Sequence, residues 1–124
     1  LSALTDKIKA GAAVCWMVTT DCQFSWEYGN ERGGFANMLP GIRRYLDYPH
    51  TASIACPKPT LFFNGSRDKL FPVEGVKDAY DTMQAVWQSQ KAADRLVTKI
   101  WEEKHFFNKE MQKETLEFFN KWLK

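Results

Sequence analysis

Two residues in this sequence are placed to share a proton. His105, in WEEKHFFNKEMQ, stands where a short apolar stretch ends and a helical pattern begins, and is one of only 2 histidines. Asp68, in TLFFNGSRDKLFP, follows another apolar run. A carboxylate bonded to one imidazole nitrogen fixes the tautomer and stabilises the protonated ring. The other nitrogen can then take a proton from a nucleophile. Read separately the two are weaker signals, since aspartate is favoured in turns and a lone histidine often serves packing or the surface. Their order carries more: carboxylate after one strand-like run, histidine after the next, then a terminal helix.

The elements that must hold this pair can be read from hydropathy. AGAAVCWMV (Ala10 to Val18) is a continuous apolar run, expected to form a strand buried on both faces of a parallel sheet. Leu1 to Ile8 before it reads as the end of a helix. TLFFNG (Thr60 to Gly65) is expected to be a second buried strand, closed by the turn SRDKLFP, where Pro72 bars an earlier helix start. In Val73 to Gln90, Val76, Tyr80, Met83, Val86 and Trp87 recur at helical spacing and form one face. RLVTKIW (Arg95 to Trp101) alternates, as suits a strand near a sheet edge. Asn108 is the expected N-cap of a last helix with Met111, Leu116, Phe119, Trp122 and Leu123 on or near one face.

Between the first two strands lies a long irregular stretch, from Thr19 to about Leu39. Gly29, Gly33 and Gly34 mark turns in it, and Trp26, Tyr28 and Phe35 would pack it onto the body or wall a pocket. GIRRYLDYPHTASIA allows a short helix or two, broken at Pro49, and CPKP an extended lead-in to the second strand. Alternating strands and helices call for an α/β fold with a parallel sheet. With about three strands, the 124 residues read as the C-terminal portion of a larger α/β domain.

Composition removes several functions. A formal charge of +2, with its lysines and arginines scattered, gives no support to nucleic-acid binding. No apolar run reaches the length of a membrane span. GNERGG lacks the spacing of a phosphate loop. Cys15, Cys22 and Cys56 fit no zinc pattern and are expected as buried or loop thiols, with one bridge left open. Asp47 and His50 flank YP but make only two ligands, so no metal and no cofactor are expected.

The nucleophile is missing. None of Ser2, Ser25, Ser53, Ser66 and Ser89 lies in a G-x-S-x-G elbow. In the α/β-hydrolase order of Ser, Asp or Glu, then His, this chain supplies the last two members. The sequence resembles the C-terminal part of an α/β-hydrolase, most closely the acetyl xylan esterase-like and dienelactone hydrolase-like branch. The resemblance runs through LSALTDKIKAGAAVCWM, NMLPGIRRYLDYPHTASIACPKPTLFFNGSRDKLFP, GVKDAYDTM and KHFFNKEMQKETLEFFNKWL.

It implies that Asp68 is the triad acid and His105 the triad base. It implies too that the serine and oxyanion hole lie in a front half preceding Leu1. The expected parent is a serine hydrolase of carboxylic esters, with acetylated carbohydrate as one substrate candidate. A non-catalytic hydrolase-like binding or scaffold protein, or a peptidase of the same fold, are the rival readings. The chain alone is expected to be inactive, and to associate with itself or with the missing half. A secreted or cell-envelope location is left open.

Overall fold

The computed structural model describes residues 2–24 and 41–123. The turns expected at Gly29, Gly33 and Gly34, and the aromatics Trp26, Tyr28 and Phe35, lie outside the described residues. Three parallel strands, β1 (Gly11–Val14), β2 (Thr60–Gly65) and β3 (Leu96–Trp101), form a sheet in the order β1-β2-β3. Helices α1 (Thr20–Gln23), α2 (Tyr48–Ser53), α3 (Val73–Ser89) and α4 (Lys109–Trp122) flank it.

The central strand organises both layers. Every residue of β2 is buried, and its side chains alternate between two cores. Phe62 packs with Val76, Ala79, Tyr80, Met83 and Trp87 of α3. Leu61 and Phe63 face the other way, against Met111 and Phe118 of α4. The register pairs Ala13 with Phe62 and Phe62 with Thr98, so the three strands end at a common edge. The α3 face follows the expected spacing, although Val86 is only partly buried.

Several elements depart from the sequence reading. The expected helix end over Leu1 to Ile8 is a single short turn at Ser2–Leu4. There the Thr5 hydroxyl accepts from the Lys7 amide and the Lys58 ammonium donates to the carbonyls of Ser2 and Thr5. Such local bonds offer the backbone an alternative to helix. Strand β1 stops at Val14 and is only half-buried, because among the described residues it pairs on one side alone. Pro49 does not break a helix but sits in the first turn of α2, where its missing N–H would be unpaired anyway. In α4 the buried line is Met111, Thr115 and Phe118, whereas Leu116 and Leu123 are exposed. Asn108 caps α4 as expected, its side chain accepting from the Met111 amide at 2.8 Å.

Candidate active site

The loops after the strands converge at one edge of the sheet, where ligands bind in open α/β folds. Those after β2 and β3 are clamped together by backbone. The Ser66 amide donates to the Trp101 carbonyl at 2.7 Å, and the Arg67 amide to that of Glu103 at 2.9 Å. Gly65 permits the approach. A Cβ there would lie 2.6 Å from the Lys104 carbonyl oxygen and closer still to that of Glu103. The Arg67 guanidinium adds a bond to the Glu102 carbonyl at 2.6 Å.

This clamp sets Asp68 against His105. His105 Nδ1 lies 2.9 Å from Asp68 Oδ2. The Asp68 side chain has no solvent exposure, whereas that of His105 is 49% exposed. The second carboxylate oxygen, Oδ1, accepts from the Leu70 amide at 2.8 Å. A carboxylate only accepts, so the Nδ1 position carries the hydrogen and Nε2 of the neutral ring keeps its lone pair. Phe71 stacks on the imidazole, centroids 5.8 Å apart and planes inclined by 22°. A buried carboxylate with two hydrogen bonds thus backs a half-exposed imidazole whose outer side faces solvent.

A third group reaches this edge that the sequence reading left among bland thiols. Cys15 directly follows β1, with its amide bonded to the Phe63 carbonyl at 2.7 Å. Its φ of 53° lies in the left-handed region, uncommon for a residue other than glycine. The Sγ donates to the Phe106 carbonyl at 3.7 Å. Donor atoms of Cys15, Asp68 and His105 all lie within 4.8 Å of one another. Burial pushes the Cys15 thiol pKa up, and the Asp68 charge adds to the rise. An open cavity of about 330 Å³ lies over Val14, Cys15, His105, Phe106 and Phe107. The signal available in the sequence was a cysteine inside the apolar run AGAAVCWMV, at what proves to be a strand's carboxyl end.

Other candidates do not join the site. The Asp47 side chain accepts from the amides of Tyr48 and Thr20, and His50 Nδ1 accepts from the Asp47 amide. That is a helix-capping arrangement. All three cysteines are free thiols. No serine hydrogen-bonds to His105 among the described residues.

No family model matches the chain. YtaP of Bacillus subtilis (strain 168), which bears the name of a hydrolase, is 29% identical over 122 residues, covering 98% of this chain and 40% of YtaP. Among solved structures, a carbohydrate esterase family 15 glucuronoyl esterase from Caldicellulosiruptor kristjansonii superposes with a TM-score of 0.70 at 14% identity, over 94% of this chain and 37% of that one. An esterase from Pyrococcus furiosus gives a TM-score of 0.63 at 16% identity, over 99% of this chain and 47% of that one. The fold is that of the C-terminal portion of an α/β-hydrolase. The parallel sheet and its flanking helices match that portion of the fold, and the chain spans 40% of the length of its curated relative.

Proposed function

We propose that Asp68 and His105 are the acid and base of a Ser-Asp-His triad in a carboxylic ester hydrolase, whose serine and oxyanion hole come from outside these 124 residues. The observation that carries this reading is the 2.9 Å bond between His105 Nδ1 and the buried Asp68 carboxylate. His105 Nε2 takes the serine proton as the oxygen attacks the ester carbonyl. Asp68 holds the ring and stabilises the imidazolium, which then protonates the leaving alcohol. Water hydrolyses the acyl-enzyme by the same relay. Both superposed structures are named as esterases, which favours ester over peptide substrates. Within the fold, the acetyl xylan esterase-like and dienelactone hydrolase-like branch is supported by the NGSRDKLFP and KHFF stretches, and acetylated carbohydrate is the substrate class it suggests.

The test is the whole parent protein on a short-chain nitrophenyl ester. His105→Ala and Asp68→Asn should each lower kcat/KM by at least about a hundredfold. Loss below about tenfold on His105→Ala overturns the assignment. A parent inert on esters but active on peptides points to the peptidase reading, and one inert on both to a binding role.

A further inference from the structure

We infer that Cys15, Asp68 and His105 together form a binding site for a thiophilic divalent cation such as Zn²⁺. The three donors come from the segments that follow three different strands, and their ligand atoms lie within 4.8 Å of one another. Zinc ligated by thiolate, imidazole and carboxylate sets such atoms roughly 3.4–3.6 Å apart, from its usual bond lengths and tetrahedral angles. Binding would open the Asp68–His105 pair from 2.9 Å, with Cys15 Sγ already within 4.8 Å of both ligand atoms. Sulfur with nitrogen and one carboxylate oxygen selects zinc or cobalt over magnesium or calcium, which prefer all-oxygen sites.

Access and charge fit the ion. The cavity of about 330 Å³ opens onto both Cys15 and His105, so the cation can enter and leave a coordination position for solvent. The Asp68 carboxylate, its side chain wholly removed from solvent, supplies negative charge beside the thiol. On binding, the Sγ–H bond breaks and its proton passes to solvent as the Sγ–metal bond forms, while the imidazole hydrogen leaves Nδ1 and the ring takes one up at Nε2 from solvent, so that the Nδ1 lone pair faces the ion. The Phe106 carbonyl loses its thiol donor in the exchange. If the triad reading above holds, the bound cation occupies the carboxylate and imidazole that base catalysis needs. Zn²⁺ is then a reversible inhibitor of the parent enzyme.

The direct test is titration of the 124-residue chain with Co²⁺, followed by its thiolate-to-cobalt charge-transfer absorption, and competition with Zn²⁺. We expect a single saturable site whose charge-transfer band is lost in Cys15→Ser and kept in Cys22→Ser and Cys56→Ser. His105→Ala changes a half-exposed side chain and so tests the site without touching buried Cys15. It should weaken Zn²⁺ binding by at least about tenfold, as losing a ligand does more than losing a supporting partner. Absence of the band in the wild-type chain overturns the proposal. So does a band that survives Cys15→Ser, or Zn²⁺ affinity unchanged in His105→Ala. This optical readout needs no turnover, so failure of the esterase reading leaves it standing. In a parent that is active on esters, full activity at saturating Zn²⁺ overturns the inhibitory role alone.

Discussion

Gly65 and Glu103 meet backbone to backbone, with no room for a methyl group between them. This contact brings the loop after β2 within hydrogen-bonding reach of the loop after β3, and so sets Asp68 opposite His105. Gly65→Ala should therefore force the two loops apart. The expected cost is about 1–3 kcal/mol, the usual range for overpacking a filled site. A urea denaturation midpoint unchanged from the wild type would show that the loops give way freely. On the proposed esterase reading, the same variant in the whole protein should lower ester hydrolysis without altering either Asp68 or His105.

Tyr80 is a buried phenol whose hydroxyl donates to Asn64 Oδ1 at 2.9 Å. Burial drives its pKa well above the ordinary phenol value, and the nearby Cys15 adds to the rise. Below about pH 10 the phenol is protonated in both folded and unfolded chains, and its contribution is fully present. Above that, the unfolded chain loses the proton while the folded one keeps it. Stability should then fall with rising pH, by up to about 1.4 kcal/mol per pH unit from this group. Tyr80→Phe should flatten that alkaline slope while costing about 1–3 kcal/mol near neutrality, because Asn64 loses its donor. Unfolding measured from pH 8 to 11 (about the range that brackets the free phenol) decides it, and identical slopes would refute the assignment.

Asn108 closes the first turn of α4, three residues after His105. Asn108→Ala should destabilise the fold by about 1 kcal/mol, the typical worth of a side-chain N-cap. Its Nδ2 also donates to Glu103 Oε1 at 3.2 Å, so the histidine loop should loosen at the same time. Faster amide exchange at residues 104–107 in the variant is the expected signature.

The outer edge of β1 has no partner among the described residues, and an open apolar cavity of about 450 Å³ lies beside it, lined in part by Leu4, Trp16 and Ile54. Those three side chains are exposed. Unpaired edges and apolar faces favour association. Sedimentation of the chain should show dimers or larger species. A monomer across the micromolar range would contradict this.

Much of this fold was legible because its strongest signals are local. The β2 run is buried throughout, the α3 face repeats at helical spacing, and Pro72 fixes where the helix starts. Asp68 and His105 could be paired in advance because successive strands of a parallel sheet are usually neighbours, so the loops after them meet at one edge. The rest depended on contacts that periodicity does not encode. β1 ends at Val14 because Cys15 turns into the left-handed region, and nothing in AGAAVCWMV marks that change. The turn at Ser2–Leu4 is set by Lys58, more than fifty residues away. On α4 the face expected from the sequence included Leu116 and Leu123, and packing on Leu61 and Phe63 buries Met111 and Phe118 and leaves those two exposed.

Besides the Asp68–His105 bond itself and the Arg67 guanidinium, the two site loops are held by main-chain bonds, Ser66 to Trp101 and Arg67 to Glu103, with Gly65 packed against the Glu103 carbonyl. None of these main-chain contacts asks what side chain stands at positions 68 or 105. The frame that presents the pair is thus separable from the pair itself. Substitution at either position can change the chemistry on offer while the mounting stays in place, which makes this strand pair a socket that accepts different reactive groups.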